Sequence, residues 1–177
     1  MIHLIGVNHL VQYDHDHPAT AKFKADVLEV IDALDISIVA EEFSDAAKKL
    51  WNVRESVLEL VAKAKGREHR FCDPTPIEKK KYGIEESDND KRRQFWLSRI
   101  QDCKSRNVLF VCGDEHIEAF TAMLNADGFD VKQGRRYQLS TAQIVRIKAR
   151  KSRVRHQLHC SSSYKNLDII TVSSLSP

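Results

Sequence analysis

Two copies of one short pattern, a glycine followed three residues later by a histidine, are the features of this chain best suited to chemistry. They are Gly6-Val7-Asn8-His9 and Gly113-Asp114-Glu115-His116. Glycine lets the backbone leave a strand sharply and approach a ligand closely, which puts the histidine in the mouth of the turn. Histidine exchanges protons near neutral pH and is the commonest metal ligand. The two patterns therefore predict a site that contains His9 and His116.

Each pattern follows a short apolar run of the kind found in strands that are buried on both faces. The two runs span residues 2–5 and 108–112, and their branched and aromatic side chains favour strands. A third apolar run at residues 36–40, and short segments at 68–72 and 129–132 that follow glycines, predict further strands, with helical spacing between them. This alternation predicts an α/β fold, with a mostly parallel central sheet flanked by helices on both faces, in a single domain.

Polar side chains follow the predicted strands at the edge where a ligand would meet them, because open α/β sheets bind ligands beyond the carboxyl ends of their strands. These residues are Asn8 and His9 after the first strand, Glu41 and Glu42 after the second, Asp73 after the third, and Asp114, Glu115 and His116 after the fourth. Successive strand residues point to opposite faces. We therefore expect only one of Glu41 and Glu42 to face the site.

Two imidazoles and one or two carboxylates suit a divalent metal ion such as Zn, Mn or Co, with coordination positions left open for water. We predict His9, Glu41 and His116 as the metal ligands. Such an ion lowers the pKa of its bound water from about 16 to near 7, and a spare carboxylate, Glu42, would act as general base. The predicted function is a metal-dependent hydrolase of esterase or peptidase type, with His9, Glu41, Glu42 and His116 as catalytic residues. Without a metal, a histidine beside a carboxylate could activate water for attack on an ester or amide.

Several other polar residues near these strands have structural interpretations. Acids in a first helical turn, such as those at positions 114 and 115, complement the helix dipole. Asp73 before Pro74 is typical of an Asx turn, and residues 15–17 are typical of a polar surface loop. A solvated helix face explains most of the arginines on or after the helix before the fourth strand, from which one could reach an anionic substrate group; they are Arg92, Arg93, Arg99 and Arg106.

The two glycine–histidine patterns and the glutamate after the second strand resemble a superfamily that includes erythromycin esterase-like and ChaN-like proteins and the TraB, PrgY and Tiki proteins. The matching residues are Gly6 to His9, Glu41 or Glu42, and Gly113 to His116, within residues 1–137. TraB-like members carry an arginine shortly after the glutamate, whereas residues 43–48 contain none. The resemblance implies metal-dependent proteases, esterases that use a histidine base, and haem-binding proteins.

The resemblance also implies an alternative function, a haem- or small-ligand-binding module without catalysis. In that case His9, His116 or Tyr13 would supply the axial ligands. Asn8, Tyr13 and Asp73 are the residues that we expect to contact a bound cofactor.

The charge of the chain divides it into two parts. From residue 134 onward, nine Lys or Arg face one acid, Asp168, so this part carries +8 while residues 1–133 carry −5. We predict an α/β domain over residues 1–137 and a basic, Ser-rich extension over residues 138–177. Within the domain, the apolar spacing predicts one amphipathic helix over residues 45–64, with Leu50 in its buried stripe. Contact between this extension and nucleic-acid phosphates is a third functional hypothesis. Its aromatic residues are too sparse to indicate base stacking.

Composition predicts a cytoplasmic protein without a membrane partner. No apolar stretch approaches the roughly 20 residues that cross a bilayer, and the chain begins with a predicted strand instead of a basic signal region. The four cysteines are scattered without a Cys-x-x-Cys pair, which argues against a zinc knuckle or a disulfide scaffold. We expect a small-molecule or peptide substrate, and a homo-oligomer is possible because a second subunit could complete so short a chain.

Overall fold

The computed structural model of this chain describes residues 1–137, and the predicted extension over residues 138–177 lies outside the described residues. The strands are β1 (Ile2–Val7), β2 (Ile38–Glu41), β3 (Glu68–Phe71), β4 (Val108–Gly113) and β5 (Val131–Tyr137). The α-helices are α1 (Leu10–Tyr13), α2 (Pro18–Ala33), α3 (Asp45–Trp51), α4 (Val57–Ala64), α5 (Pro76–Tyr82), α6 (Asn89–Ile100) and α7 (Ile117–Ala126). Short 3-10 helices at Gln101–Cys103 and Asp114–His116 follow α6 and precede α7.

The five strands form one sheet in the order β3-β2-β4-β1-β5, and all four pairings are parallel. Every residue of β1 and β4 is buried, as their apolar runs predict. The fourth strand lies between the first and the second, so Val7, Glu41 and Gly113 end neighbouring strands at the same edge. The predicted α/β fold is confirmed, with a sheet that is wholly parallel among the described residues.

Helices cover both faces of this sheet, as predicted. On one face, Trp96 of α6 and Phe120 of α7 pack with Leu4 and Phe110 in the main core cluster. On the other face, α4 contacts β2, β3 and α2, and the buried residues of α2 and α4 lie outside that cluster. Among residues 1–137, no helix combines the length and the apolar character that crossing a membrane requires.

The prediction of one helix over residues 45–64 is wrong. The chain turns after Trp51 because Asn52 adopts the left-handed conformation, with φ of 53°, and a new helix, α4, begins at Val57 with Ser56 as its N-cap. The Ser56 hydroxyl accepts the backbone N–H of Glu59, whose carboxylate accepts the N–H of Ser56, which is a capping box. Leu50, expected in the buried stripe, is 73% exposed.

Candidate active site

Three neighbouring strands bring His9, Glu42 and His116 together. His9 lies two residues beyond β1 and precedes α1, Glu42 directly follows β2, and His116 ends the 3-10 helix that follows β4. Their side chains meet around Glu42: its Oε2 lies 3.7 Å from Nε2 of His9, and its Oε1 lies 3.4 Å from Nε2 of His116. The expected meeting of the two histidines with one strand-end glutamate is therefore present in the structure.

Glu42 is a buried carboxylate with donors on both oxygens. Arg92 donates to Oε1 at 2.6 Å, and the backbone N–H of Gly113 donates to Oε2 at 2.7 Å. Burial acts to raise the pKa of Glu42, but the hydrogen bond from His116, the charge of Arg92 and the charges that His9 and His116 carry when protonated outweigh it, so its pKa lies below the usual value. Glu42 is thus held as an anion.

The hydrogen-bond partners of His116 determine its tautomer. Arg93 donates from a terminal guanidinium nitrogen to Nδ1 of His116 at 3.1 Å. Because a guanidinium has no acceptor atom, Nδ1 carries the lone pair and Nε2 of the neutral ring carries the hydrogen, directed at Glu42. The ring is buried against the edge of Trp96, with 5.1 Å between ring centroids. His116 is therefore a fixed donor to Glu42.

Glu41 points to the opposite side of the strand end from Glu42, as the alternation of strand side chains predicts. It is fully buried and accepts hydrogen bonds from the Ser56 hydroxyl, from Nε2 of His69 at 2.8 Å and from the amide of Gln12 at 3.0 Å. The position predicted for Glu41, between the two histidines, is therefore occupied by Glu42.

Gln12 connects Glu41 to His9. The Gln12 amide nitrogen donates to Glu41, which leaves its Oε1 facing Nδ1 of His9 at 2.8 Å. Since Oε1 can only accept, Nδ1 of His9 carries the hydrogen. In the neutral ring, Nε2 then presents its lone pair on the side of Glu42, and the His9 side chain is 40% exposed. This arrangement suits a base that accepts a proton at Nε2.

Asp73 has a supporting position. Its Oδ1 accepts from Arg92 at 2.8 Å and from the indole N–H of Trp96 at 3.1 Å, and this holds Arg92 against Glu42. Arg92 was assigned to a solvated helix face, but its side chain is 13% exposed and joins two carboxylates. Its spacing on the helix gave no sign of that role.

The remaining predicted residues have local roles. Asn8 forms a turn, because its Oδ1 accepts the backbone N–H of Leu10 at 3.1 Å. In the polar loop, His15 bonds to the carbonyl of Glu55 at 2.9 Å, and His17 caps α2 through the N–H of Ala19 at 3.1 Å. Ser56, His69 and Gln12 were not predicted as site residues but contact Glu41. Among them, Gln12 alone lies close in sequence to a predicted site residue, His9.

The three side chains do not fit a shared metal centre. Within the described part of the chain, no three His, Cys, Asp or Glu side chains are arranged to hold an ion together. The chemical reason lies at His116: its Nε2 faces the site but carries the hydrogen while Arg93 occupies Nδ1, and a metal needs the lone pair there. Glu41 is also turned away from His9 and His116, so the predicted ligand set is not assembled.

Tyr13 does not fit the role of a haem ligand. Its ring is buried and stacks on Trp51 and Phe43, with centroids 5.2 and 6.4 Å away. Burial, assisted by Asp14, raises the pKa of Tyr13 to about 12, whereas a tyrosine ligand binds iron as the phenolate. Both ring nitrogens of His116 are also engaged.

A cavity of about 510 Å³ opens beside the site. Its size is typical of small-molecule sites. It is lined by polar and charged residues, His9, Glu42, Ser44, Asp73, Lys79 and Glu86, and by a larger apolar group, Tyr13, Phe43, Ala46, Ala47, Leu50, Trp51, Pro74 and Pro76. His9 and Glu42 therefore face a space that can hold a ligand.

No protein-family model matches this chain, and neither the curated proteins nor the solved structures contain a match to it. The resemblance to the esterase-like superfamily stays a prediction, carried by the residues named above.

Proposed function

We propose that this protein is a hydrolase in which His9 acts as the general base for attack of water on an ester or amide carbonyl. The observation that carries this proposal is the hydrogen-bonded line from Glu41 through Gln12 to His9. It holds a hydrogen on Nδ1 and leaves the lone pair of Nε2 at the wall of the cavity. The resemblance to esterases that use a histidine base supports the same chemistry.

The proposed reaction needs one proton to move twice. Water oxygen bonds to the carbonyl carbon while Nε2 of His9 takes a proton from that water. The bond from carbon to the leaving oxygen or nitrogen then breaks, and His9 returns the proton to the leaving group, which gives a carboxylic acid and an alcohol or amine. The transient imidazolium lies 3.7 Å from Oε2 of Glu42, whose negative charge favours it.

Arg92, the N–H of Gly113 and His116 would keep Glu42 ionised through this cycle. In this proposal Glu42 provides charge, while His116 orients Glu42 and does not exchange protons with the substrate. Gln12 and Glu41 are positioning residues, since they act through His9.

The proposed location is the cytoplasm. Among the described residues, Cys72, Cys103 and Cys112 are buried free thiols, which is usual for proteins kept in a reducing compartment.

The test is a hydrolysis screen with para-nitrophenyl esters and fluorogenic peptide amides, with and without EDTA. We expect ester or amide hydrolysis that EDTA does not inhibit. His9→Ala should lower kcat/KM by about 10²- to 10⁴-fold, with unchanged thermal unfolding. His15→Ala is the matched control, because His15 lies in a surface loop and bonds to the Glu55 carbonyl, and it should keep full activity.

Three results would contradict the proposal. Activity that EDTA abolishes and Zn, Mn or Co restores would establish the metal-dependent mechanism instead. Equal rates for wild type and His9→Ala would remove His9 as the base. A folded protein with no hydrolysis of any substrate in the panel would leave a binding module as the function, for which haem titration is the next measurement.

A further inference from the structure

Helix α3 turns its apolar side toward the cavity. None of its residues is buried, yet Ala46 and Leu50, and likewise Ala47 and Trp51, are four residues apart and so lie on one face. All four line the cavity, and Leu50 and Trp51 are 73% and 44% exposed. An amphipathic helix normally buries this face against a core. Here the apolar face meets the space beside His9 and Glu42.

Aromatic and proline side chains form further parts of the cavity wall. The ring of Tyr13 lies between those of Phe43 and Trp51, in stacked contact with both, and Pro74 and Pro76 contribute rigid apolar surface. Most of the lining is therefore apolar, and it adjoins the polar group formed by His9, Glu42 and Asp73.

The charges that line the cavity are paired with charges of opposite sign. Arg92 bridges Glu42 and Asp73 at 2.6 and 2.8 Å, and Lys79 pairs with Glu86 at 2.6 Å. A ligand with its own charge would have to compete with these pairs, whereas a neutral apolar group would not. The lining thus favours a neutral, largely apolar ligand.

We infer that this cavity binds the apolar acyl or aryl part of a neutral ester, with the scissile carbonyl at His9. The inference rests on the proposed hydrolase function and specifies its substrate class: esters of medium-chain aliphatic or aryl-substituted carboxylic acids. Each additional buried methylene should raise kcat/KM about two- to fourfold, until the chain outgrows the cavity.

Binding can be tested apart from hydrolysis with nonyl methyl ketone, a neutral analogue of a medium-chain ester that cannot be hydrolysed. Trp51 lies on the cavity wall, so its fluorescence should change saturably with ketone in wild type and in His9→Ala, and acetone should have no effect. The change should vanish in Trp51→Phe, which shows that the other tryptophan of the chain, Trp96, is not the reporter.

The second measurement is the chain-length profile for para-nitrophenyl acetate, butyrate, hexanoate and octanoate. Ala47→Phe adds a ring on the cavity side of α3, while Lys49→Phe adds the same ring at an exposed position outside the cavity lining. We expect Ala47→Phe to weaken ketone binding at least about tenfold and to remove the preference for long chains. Lys49→Phe should resemble wild type.

The possible failures are distinguishable. Hydrolysis with no chain-length preference, or a ketone that does not bind, would overturn the cavity inference and leave the hydrolase proposal standing. Ketone binding without hydrolysis of any ester would refute the hydrolase proposal and leave only an apolar ligand site. A stable dimer in solution with no Trp51 response to ketone would assign the α3 face to contact between two copies of the chain.

Discussion

The buried amide of Gln12 determines what His9 can do. An imidazole can carry its hydrogen on either nitrogen, and the nitrogen that lacks it is the base. Gln12 fixes that choice because its nitrogen is committed to Glu41, leaving only an acceptor for His9. Glu41 was predicted as a metal ligand and a catalytic residue. In the proposed mechanism it affects His9 indirectly, by orienting Gln12.

Gln12→Met keeps the length of the side chain and removes both hydrogen bonds. We expect kcat to fall by about 10- to 100-fold with KM nearly unchanged, since His9 loses its orientation but the cavity keeps its shape. Leaving Glu41 with one donor fewer should cost about 1–3 kcal/mol of unfolding free energy. Steady-state kinetics and urea unfolding measure the two effects. Gln101→Met is the control, because Gln101 is exposed and bonds to Asp127. A Gln12→Met enzyme with the kcat of wild type would refute the positioning role of Gln12.

The depressed pKa of Glu42 makes the stability of the fold depend on pH. An unfolded glutamate titrates near 4.5 and the folded one lower, so its contribution is fully present above that pH and is lost as the pH falls through the folded pKa. We expect Glu42→Gln to lower the unfolding free energy by about 3 kcal/mol at neutral pH, because Arg92 loses its buried carboxylate partner. The difference from wild type should shrink on acidification.

Urea unfolding at neutral and at acid pH measures this dependence. Glu118→Gln removes a carboxylate whose pKa is also lowered, by an exposed Arg136, and should have a much smaller effect at either pH. A difference between wild type and Glu42→Gln that stays constant with pH would mean that Glu42 is not ionised in the folded protein.

The two glycine–histidine patterns look equivalent in sequence, but the strands that carry them use their glycines differently. Gly6 lies inside β1, where an added Cβ would come within 2.6 Å of Oδ1 of Asp114 and 2.8 Å of Cγ1 of the buried Ile117. Gly113 ends β4, and the three atoms nearest to a Cβ there all belong to the carboxylate of Glu115, the closest at 2.9 Å. That carboxylate belongs to a side chain that is 66% exposed and can move.

We therefore expect Gly6→Ala to destabilise the fold by about 1–3 kcal/mol through overpacking, and Gly113→Ala to change stability by no more than about 0.5 kcal/mol. The Gly113 N–H that donates to Glu42 belongs to the backbone, so Gly113→Ala should also keep its activity. Thermal and urea unfolding of the two variants test the contrast, which equal destabilisation would contradict.

The strands β1 and β4 were predictable from sequence because they are continuous apolar runs buried on both faces. The fifth strand was predicted at residues 129–132 but spans Val131–Tyr137, since most of its residues are exposed and carry no apolar pattern. The break between α3 and α4 was not, since the apolar spacing continues across it and the left-handed conformation of Asn52 together with the Ser56 cap overrides that spacing. Leu50 was assigned to the core for the same reason. Its apolar character is real, but the face that it belongs to borders the cavity.

At the scale of the whole molecule, the strand order explains the site. Alternation predicted that strand ends would meet at one edge, but not that β4 lies between β1 and β2. That order makes the strands that end near Glu42, His116 and His9 neighbours, and the alternation of side chains along β2 turns Glu41 toward Gln12. The arginine contacts were also beyond sequence reasoning, because Arg92 and Arg93 reach the site from α6 across more than twenty residues of chain.

The described fold holds its core within residues 1–137, and we expect the chain to keep its structure and its proposed activity when residues 139–177 are deleted. Tyr137, at the end of the described residues, packs on Phe23 and donates to Asp26 at 2.7 Å. Deletion after Gln138 should therefore leave cooperative thermal unfolding and ester hydrolysis close to those of the full chain. Deletion after Gly134 removes Tyr137 and should lower the unfolding temperature by several degrees, because an aromatic contact and a hydrogen bond are lost.

DNA binding by the basic extension can be tested by measuring the fluorescence anisotropy of a labelled DNA duplex with the full chain and with the chain cut after Gln138. Salt-dependent DNA binding by the full chain, without binding by the truncated chain, would assign nucleic-acid contact to the extension. In the unfolding experiment, loss of cooperative unfolding after the cut at Gln138 would show that the domain does not fold independently of the extension.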